Sequence, residues 1–352
     1  MHLDLFFELP VPPFGERDEA RIHLDTLEEI ALADQLGFGT AWLVEHHFMK
    51  GYSHSSAPDL FLAACAPRTQ RIRLGLGIVP LPYHHPVHVA ERVATLDILS
   101  RGRVEFGFGR GFSPKEYQAF AIPMGESRTR TREALDVIRA AFGEGPLDFQ
   151  GKHFHLEGLE VLPKPVQRPH PPLWMAAVSP ESFIQAARCQ VGVLAGPFKP
   201  WPMVKEDIRR YRGAWSGKAP PRVGMALGIF CLEDGKRARA LSREGFVWFY
   251  RKLLDQTRPL LRRLYASYGY YRKFSLLGKL MEMTLSLTVL ERLGMVVVGT
   301  PERCLERLEA LREEGVDHVL CAIGAGTLPS PWIRESMAHL AGLIPQVSGD
   351  GP

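Results

Sequence analysis

The chain has 352 residues, 45% hydrophobic and 23% charged, with a formal net charge of +4. Such a composition supports an ample core, and a length of this order fits one α/β barrel as readily as two domains. The weak positive balance without a Lys/Arg block argues against nucleic acid, and no apolar run reaches the ~18 residues of a membrane span. The five cysteines are scattered among apolar neighbours and form no CxxC pair, so they read as buried reduced thiols rather than a disulfide framework or zinc site. The first segment, MHLDLFFELP, lacks a basic leader, and a cytoplasmic location is expected.

The pattern then alternates along the chain. LDLFF (3–7) is an apolar run, and 17–36 carries Ile22, Leu27, Ile30, Ala31 and Leu36 at helical spacing until Gly37. Strands follow at TAWLV (40–44), RIRLGLGIV (71–79) and GRVEFGFG (102–109), separated by helices at 58–69 and 85–100 and followed by one at 127–142. Residues 146–165 break the rhythm with alternation and Gly/Pro punctuation, which predicts a small inserted hairpin. The rhythm resumes with PLWMAAV (172–178), VGVLAG (191–196), RVGMALGIFCL (222–232) and HVLCAIGAG (318–326), with helices at 179–189, 200–215 and 331–347. Continuous apolar strands alternating with amphipathic helices imply a parallel sheet buried on both faces, and eight such units close a (β/α)8 TIM barrel. A single domain over 1–352 is expected. The stretch 233–300 is too long for one crossover, and 246–293 is rich in Tyr, Phe and basic residues: a candidate lid over the barrel mouth, or equally the core of an inserted helical pair.

Active sites of such barrels lie at the C-terminal strand ends. Glu45-His46-His47 ends the second strand, PLPYHHP (80–86) the third, GRGFSPKE (109–116) the fourth, and AAVSPES (176–182) joins the fifth to its helix. Strand alternation sends Glu45 and His47 to one side and His46 to the other, so the two histidines do not easily share a metal ion, and neither an HxH first strand nor HExxH occurs. A neutral imidazole is the natural proton shuttle near neutral pH; Glu45 more plausibly orients than reacts. Ser179 followed by Pro180 opens a helix as an N-cap, where free N–H groups and the helix dipole favour an anion. Gly107, Gly109 and Gly111 do not follow GxGxxG, because Phe112 stands at the last position; they read instead as small residues that let a planar ring approach.

WLVEHHF, HPVHVAERVATLDILSRGRVEFGFGRGF, the SR of PMGESR, PLWMAAVS and VVVGTPERCLERLEAL together resemble the bacterial luciferase-like flavin monooxygenases, the luciferase α chain in particular. The similarity runs in order over about residues 2–345, densest before 190 and weakest over 196–293. The resemblance implies a TIM barrel that takes reduced FMN from a separate reductase and adds dioxygen at the flavin C4a carbon. The peroxide or hydroperoxide then oxygenates a small organic substrate, by Baeyer–Villiger or aldehyde-type attack or by hydroxylation. It matches His46 to the family's catalytic histidine, with Glu45 beside it, and Arg110, Arg128, Ser179 and Ser182 to phosphate ligands. Ala177 and Val178 fall in the phosphate loop, and Gly77-Ile78 where the family has a non-proline cis peptide under the ring. A homodimer through the helices near 58–69 and 86–100 is also implied. Gly109 stands where luciferase has a reactive cysteine and Val178 where it has a glutamate, so light emission does not carry over. Two alternatives stand beside this reading: a deazaflavin-dependent hydride-transfer enzyme on the same barrel, and a non-catalytic flavin-binding partner subunit.

Overall fold

The computed structural model describes residues 1–196, 199–267 and 284–348, without the side chains of 259–267. Its first half follows the expected alternation: β1 (His2–Phe7), α1 (Glu19–Leu36), β2 (Thr40–Leu43), α2 (Pro58–Cys65), β3 (Arg73–Pro80), α3 (Pro86–Leu99) and β4 (Val104–Gly109). Helices α4 (Pro114–Ala119) and α5 (Ser127–Phe142) and the hairpin β5 (Leu147–Gln150) with β6 (His155–Leu159) precede β7 (Leu173–Ala177). Then come α6 (Pro180–Arg188), β8 (Gly192–Ala195), α7 (Trp201–Ala214), β9 (Val223–Cys231), the long helix α8 (Gly235–Ser267), β10 (Val296–Gly299) and β11 (His318–Ile323).

Eight parallel strands run in the order β9, β11, β1, β2, β3, β4, β7, β8, and pairing of β8 with β9 closes them into the expected barrel. The antiparallel hairpin stands apart as its own sheet. One strand was not foreseen. Along β9, β11 takes residues 224–229, while β8 pairs with 223–225 and β10 with 228–231. VVVG thus lengthens the barrel wall at the C-terminal half of β9, and the described residues between β9 and β10 include the long helix α8.

The composition of 246–254 is decided by burial. Phe246, Phe249, Tyr250 and Leu253 of α8 are each at most 2% exposed, and the Tyr250 hydroxyl donates to the Met295 carbonyl at 2.9 Å. These four side chains are packed in the core. The remaining aromatic part of the expected lid, YASYGYYRKF (265–274), lies outside the described side chains.

Local chemistry explains the boundaries of α1: Asp18 accepts from the Arg21 N–H at 2.7 Å, and Gly37 ends the helix at φ 89°, a left-handed conformation that favours glycine. The lower barrel is plugged by Trp42 and Trp174, edge to face at 5.7 Å and both fully buried. Each indole N–H donates to a buried carboxylate: Trp42 to Asp4 at 3.0 Å, Trp174 to Glu105 at 2.5 Å. With Leu194, Ala226 and Leu320 the two rings make a floor, and a cavity lined by those three residues opens above it. Four cysteines are buried as expected; Cys189, at the end of α6, is half-exposed instead, because its helix ends at the surface.

Candidate active site

Above that floor, at the C-terminal strand ends, lies a cavity of about 480 Å³. All ten residues singled out from the sequence line it: Glu45, His46, Gly77, Ile78, Arg110, Arg128, Ala177, Val178, Ser179 and Ser182. The volume falls within the range of about 300–1,000 Å³ usual for small-molecule sites.

His46 stands where β2 gives way to a loop, and its backbone is pinned there. Its N–H donates to the Ser55 carbonyl at 2.9 Å, and the Ser55 hydroxyl donates to the Val44 carbonyl at 2.6 Å. The next N–H, of His47, donates to Glu116 Oε1 at 2.8 Å. Both ring nitrogens of His46 face carboxylates: Nε2 lies 3.8 Å from Glu8 Oε2 and Nδ1 3.6 Å from Glu116 Oε1. Phe112 and Tyr52 flank the ring edge-on and tilted, at 5.4 and 5.9 Å. Burial disfavours the charged ring, but the contact with Glu116 and the charges of Glu8, Glu116 and Glu45 outweigh it and raise the His46 pKa.

Glu45 and His47 share a side, as alternation requires. Glu45 Oε1 meets Nε2 of His47 at 3.0 Å and Nε2 of His84 at 2.5 Å. Burial would push this carboxyl up; the two imidazole contacts prevail and hold it below the ordinary carboxylate value. Glu45 therefore ties the ends of β2 and β3 together.

Gly77 and Ile78 form the cavity wall, but their peptide bond is trans, against the expectation; the two cis bonds among the described residues are Leu162–Pro163 and Arg168–Pro169. The local irregularity takes another form here. The register between β3 and β4 shifts between Leu76 and Val79, which turns Gly77 and Ile78 toward the cavity without isomerisation. The glycines in and after β4 are tightly surrounded by protein. A Cβ on Gly107 would stand 2.2 Å from the Leu76 carbonyl oxygen, and one on Gly111, at φ +69°, would stand 2.4 Å from the Tyr83 hydroxyl. Protein atoms by themselves already favour glycine at both positions.

Ser179 caps α6, and the arrangement is reciprocal. Ser182 Oγ accepts from the Val178 and Ser179 N–H groups at 3.0 and 2.9 Å and donates to the Ser179 carbonyl at 2.6 Å. Its hydroxyl is thereby saturated, whereas the Ser179 hydroxyl donates only across 3.4 Å and can turn to a ligand. Lys199 braces the same loop: 3% exposed, it donates to the Val178 carbonyl at 2.6 Å and to Asp207. Arg128 has no acid partner among the described residues.

Glu8, Glu116, Tyr52, Tyr83 and Lys199 were not anticipated. The Tyr52 hydroxyl donates to Glu8 Oε1 at 2.8 Å and that of Tyr83 to Glu116 Oε2 at 3.0 Å. Signals existed for two of them: Glu8 directly follows the first apolar strand, and Glu116 closes GRGFSPKE, where Ser113 caps the short helix α4 by accepting from the Glu116 N–H. The tyrosines and Lys199 carry no local signature, since their partners are distant in sequence.

Residues 9–318 match the family model described as luciferase-like monooxygenase. The chain is 32% identical over 305 residues to limonene 1,2-monooxygenase of Rhodococcus erythropolis, covering 83% of this chain and 72% of that one. It is 25% identical over 243 residues to the oxygenase component of the flavin-dependent trigonelline monooxygenase of Acinetobacter baylyi, covering 66% of each. The monooxygenase RslO1 of Streptomyces bottropensis superposes with a TM-score of 0.78 at 28% identity, covering 98% of this chain and 99% of that chain. The closed barrel, the cavity at its C-terminal rim and these matches agree, and the chain is an enzyme of the luciferase-like monooxygenase family.

Proposed function

We propose that the cavity binds reduced FMN and that the chain is the oxygenase half of a two-component monooxygenase, fed by a separate flavin reductase. One observation carries this reading: a single cavity joins the doubly bracketed His46 to Arg110, Arg128 and the capped start of α6. The donor set suits a flavin phosphate, with two guanidinium groups able to bind it bidentately and the Ser179 hydroxyl beside them. Ser182 keeps the loop in shape for them. Phe6, Ile78, Leu194, Ala226 and Leu320 give the opposite end the apolar lining a tricyclic ring requires. When bound, reduced flavin supplies the two electrons that activate dioxygen.

The chain's own residues then hold and protect that chemistry. Gly77, Ile78, Ala177 and Val178 form the wall, and the closed floor keeps water from below. His46 moves the proton at its ring nitrogens, and Glu45 orients the strand end through His47 and His84. The substrate is a small organic molecule. The active form is a cytoplasmic, single-domain homodimer; Leu60 on α2 and Leu99 on α3, 72% and 55% exposed, offer apolar contact for a second copy.

Anaerobic titration of the apoprotein with reduced FMN, reduced riboflavin and reduced deazaflavin, then oxygen uptake on admission of air, tests this reading. FMN should bind about tenfold or more tighter than riboflavin, and Arg110→Ala should erase the difference. His46→Ala should still bind FMN but couple oxygen to product at least about tenfold less well. Equal affinity for FMN and riboflavin, or binding of deazaflavin alone without oxygen uptake, would overturn it.

A further inference from the structure

The bracketing of His46 has a consequence of its own. A neutral imidazole donates through one nitrogen and presents a lone pair at the other. Here Nε2 faces Glu8 and Nδ1 faces Glu116, at 3.8 and 3.6 Å. Whichever tautomer a neutral ring adopted, one lone pair would point at a carboxylate. Only the doubly protonated ring presents a donor to both. Glu8 Oε2 and His46 Nδ1 are moreover buried without a hydrogen-bond partner, so each relies on the charge opposite it.

A proton shared with Glu8 could instead reside on the carboxyl. Burial raises the Glu8 pKa, which favours that outcome, but the Tyr52 hydroxyl at 2.8 Å and Ser53 hydrogen-bond the ionised form. Tyr52 is itself fully buried, its own pKa raised well above the usual value, so it remains a donor. The carboxylates facing the His46 ring are Glu8 from the end of β1 and Glu116 from α4, while Glu45, on the other side of the strand and bound to His47 and His84, adds its charge through space. Behind them stand Tyr52 with Tyr250 of α8, Tyr83 beside Glu116, and Arg110 in the cavity wall. Two carboxylates converge on one imidazole.

We infer that Glu8 is a positioning residue that, opposite Glu116, holds both protons on the His46 ring, so that the site delivers a proton as an acid before it receives one as a base. Glu8 stays ionised throughout; a proton leaving a His46 nitrogen passes to the reacting partner, and one proton from solvent restores the ring. Its place in catalysis rests on the oxygen chemistry proposed above, whereas the protonation state itself does not.

The ring nitrogens of histidine-labelled apoprotein, with the His46 signal assigned through His46→Asn, report this directly by NMR titration. His46 should be doubly protonated at pH 7 in the wild type. Glu8→Gln, which keeps the shape and loses the charge, should lower its titration midpoint by about one pH unit or more, and Glu8→Asp should restore part of it. Tyr52→Phe, a second variant should Glu8→Gln not fold, should lower it in the same direction. In the holoenzyme the alkaline limb of the turnover profile should move with the NMR midpoint while affinity for FMN stays within about twofold. A neutral ring at pH 7 in the wild type, or a midpoint indifferent to Glu8→Gln, would overturn the inference. Failure of the apoprotein to bind flavin would instead strike the proposed function and leave the titration standing.

Discussion

Lys199 shows how much of the site depends on a residue that never faces a ligand directly. Its ammonium is buried with Asp207, itself wholly buried, and holds the Val178 carbonyl in the loop before α6. Burial lowers the Lys199 pKa, and the carboxylate of Asp207 opposes that. Removing one member of such a pair strands the other charge. Lys199→Met should therefore destabilise the fold by about 3–5 kcal/mol, since Arg210, at 3.5 Å from Asp207, is a poor substitute. Replacing both, with Asp207→Leu, should recover most of that loss while leaving the Val178 carbonyl without its donor. Chemical denaturation and FMN affinity measured on the single and double variants separate the two effects. Stability that returns together with full affinity would show that the brace is irrelevant to the loop. This residue was illegible in the sequence because its partners, eight and twenty-one positions away, share no periodicity with it.

Among the elements, the strands were legible and several connections were not. Buried parallel strands read as nearly continuous apolar runs, so LDLFF, TAWLV and the rest declare themselves. VVVG did not, because four apolar residues before a capped helix fit a turn entry as well as a strand. Helix α4 escaped notice for a similar reason: its six residues are too few to show a period, although Ser113, Pro114 and Glu116 carry the capping signal. How the N-terminal and C-terminal helices lock was equally hidden. Glu29 of α1 accepts from the Ser330 hydroxyl at 2.9 Å, at the start of the helix Ser330–Ala341, and Arg17 bridges Glu29 at 3.4 Å to the Gly326 carbonyl at 2.6 Å. Burial pushes the Glu29 carboxyl up to about 7, Arg17 and Ser330 opposing it. A carboxyl raised on folding contributes stability that is complete below its unfolded value near 4.5 and is lost as pH rises through about 7. Wild type should thus lose on the order of 3 kcal/mol between pH 5 and 8 from this group. Glu29→Gln keeps the hydroxyl contact and should flatten that part of the profile. Thermal unfolding of both proteins across this window checks it, and parallel profiles would refute the assignment.

At the scale of the whole molecule the barrel divides into a lower half that holds it together and an upper rim that reacts, as this architecture generally does. That division explains why the site was the more legible part. Most rim residues sit at strand ends, a position the sequence pattern marks; Arg128, in the first turn of α5, was marked only by the resemblance, and all ten named in advance line the same cavity. The interior plug is visible only in three dimensions: Trp42, Trp174, Asp4 and Glu105 come from four strands, and although Asp4 and Glu105 interrupt apolar runs, nothing local says which indole each one meets. The plug is where a stability effect without a functional one should be found. Trp42 donates its indole N–H to Asp4, which is fully buried, has one carboxylate oxygen already unpartnered, and otherwise meets His318 at 3.0 Å. Trp42→Phe removes that donor and leaves a void against Trp174 and Gly75, whose Cβ position lies 2.4 Å from the indole. The lost hydrogen bond to a buried charge and the cavity together should cost about 2–4 kcal/mol. His46, Glu8 and the arginines stand above the floor, so FMN affinity and the pH dependence of turnover should stay within about twofold of wild type wherever the variant is folded. Denaturation midpoints set beside flavin titrations of Trp42→Phe decide the matter. Loss of flavin affinity at full stability would mean that the floor shapes the reaction cavity itself and that the two halves are not separable.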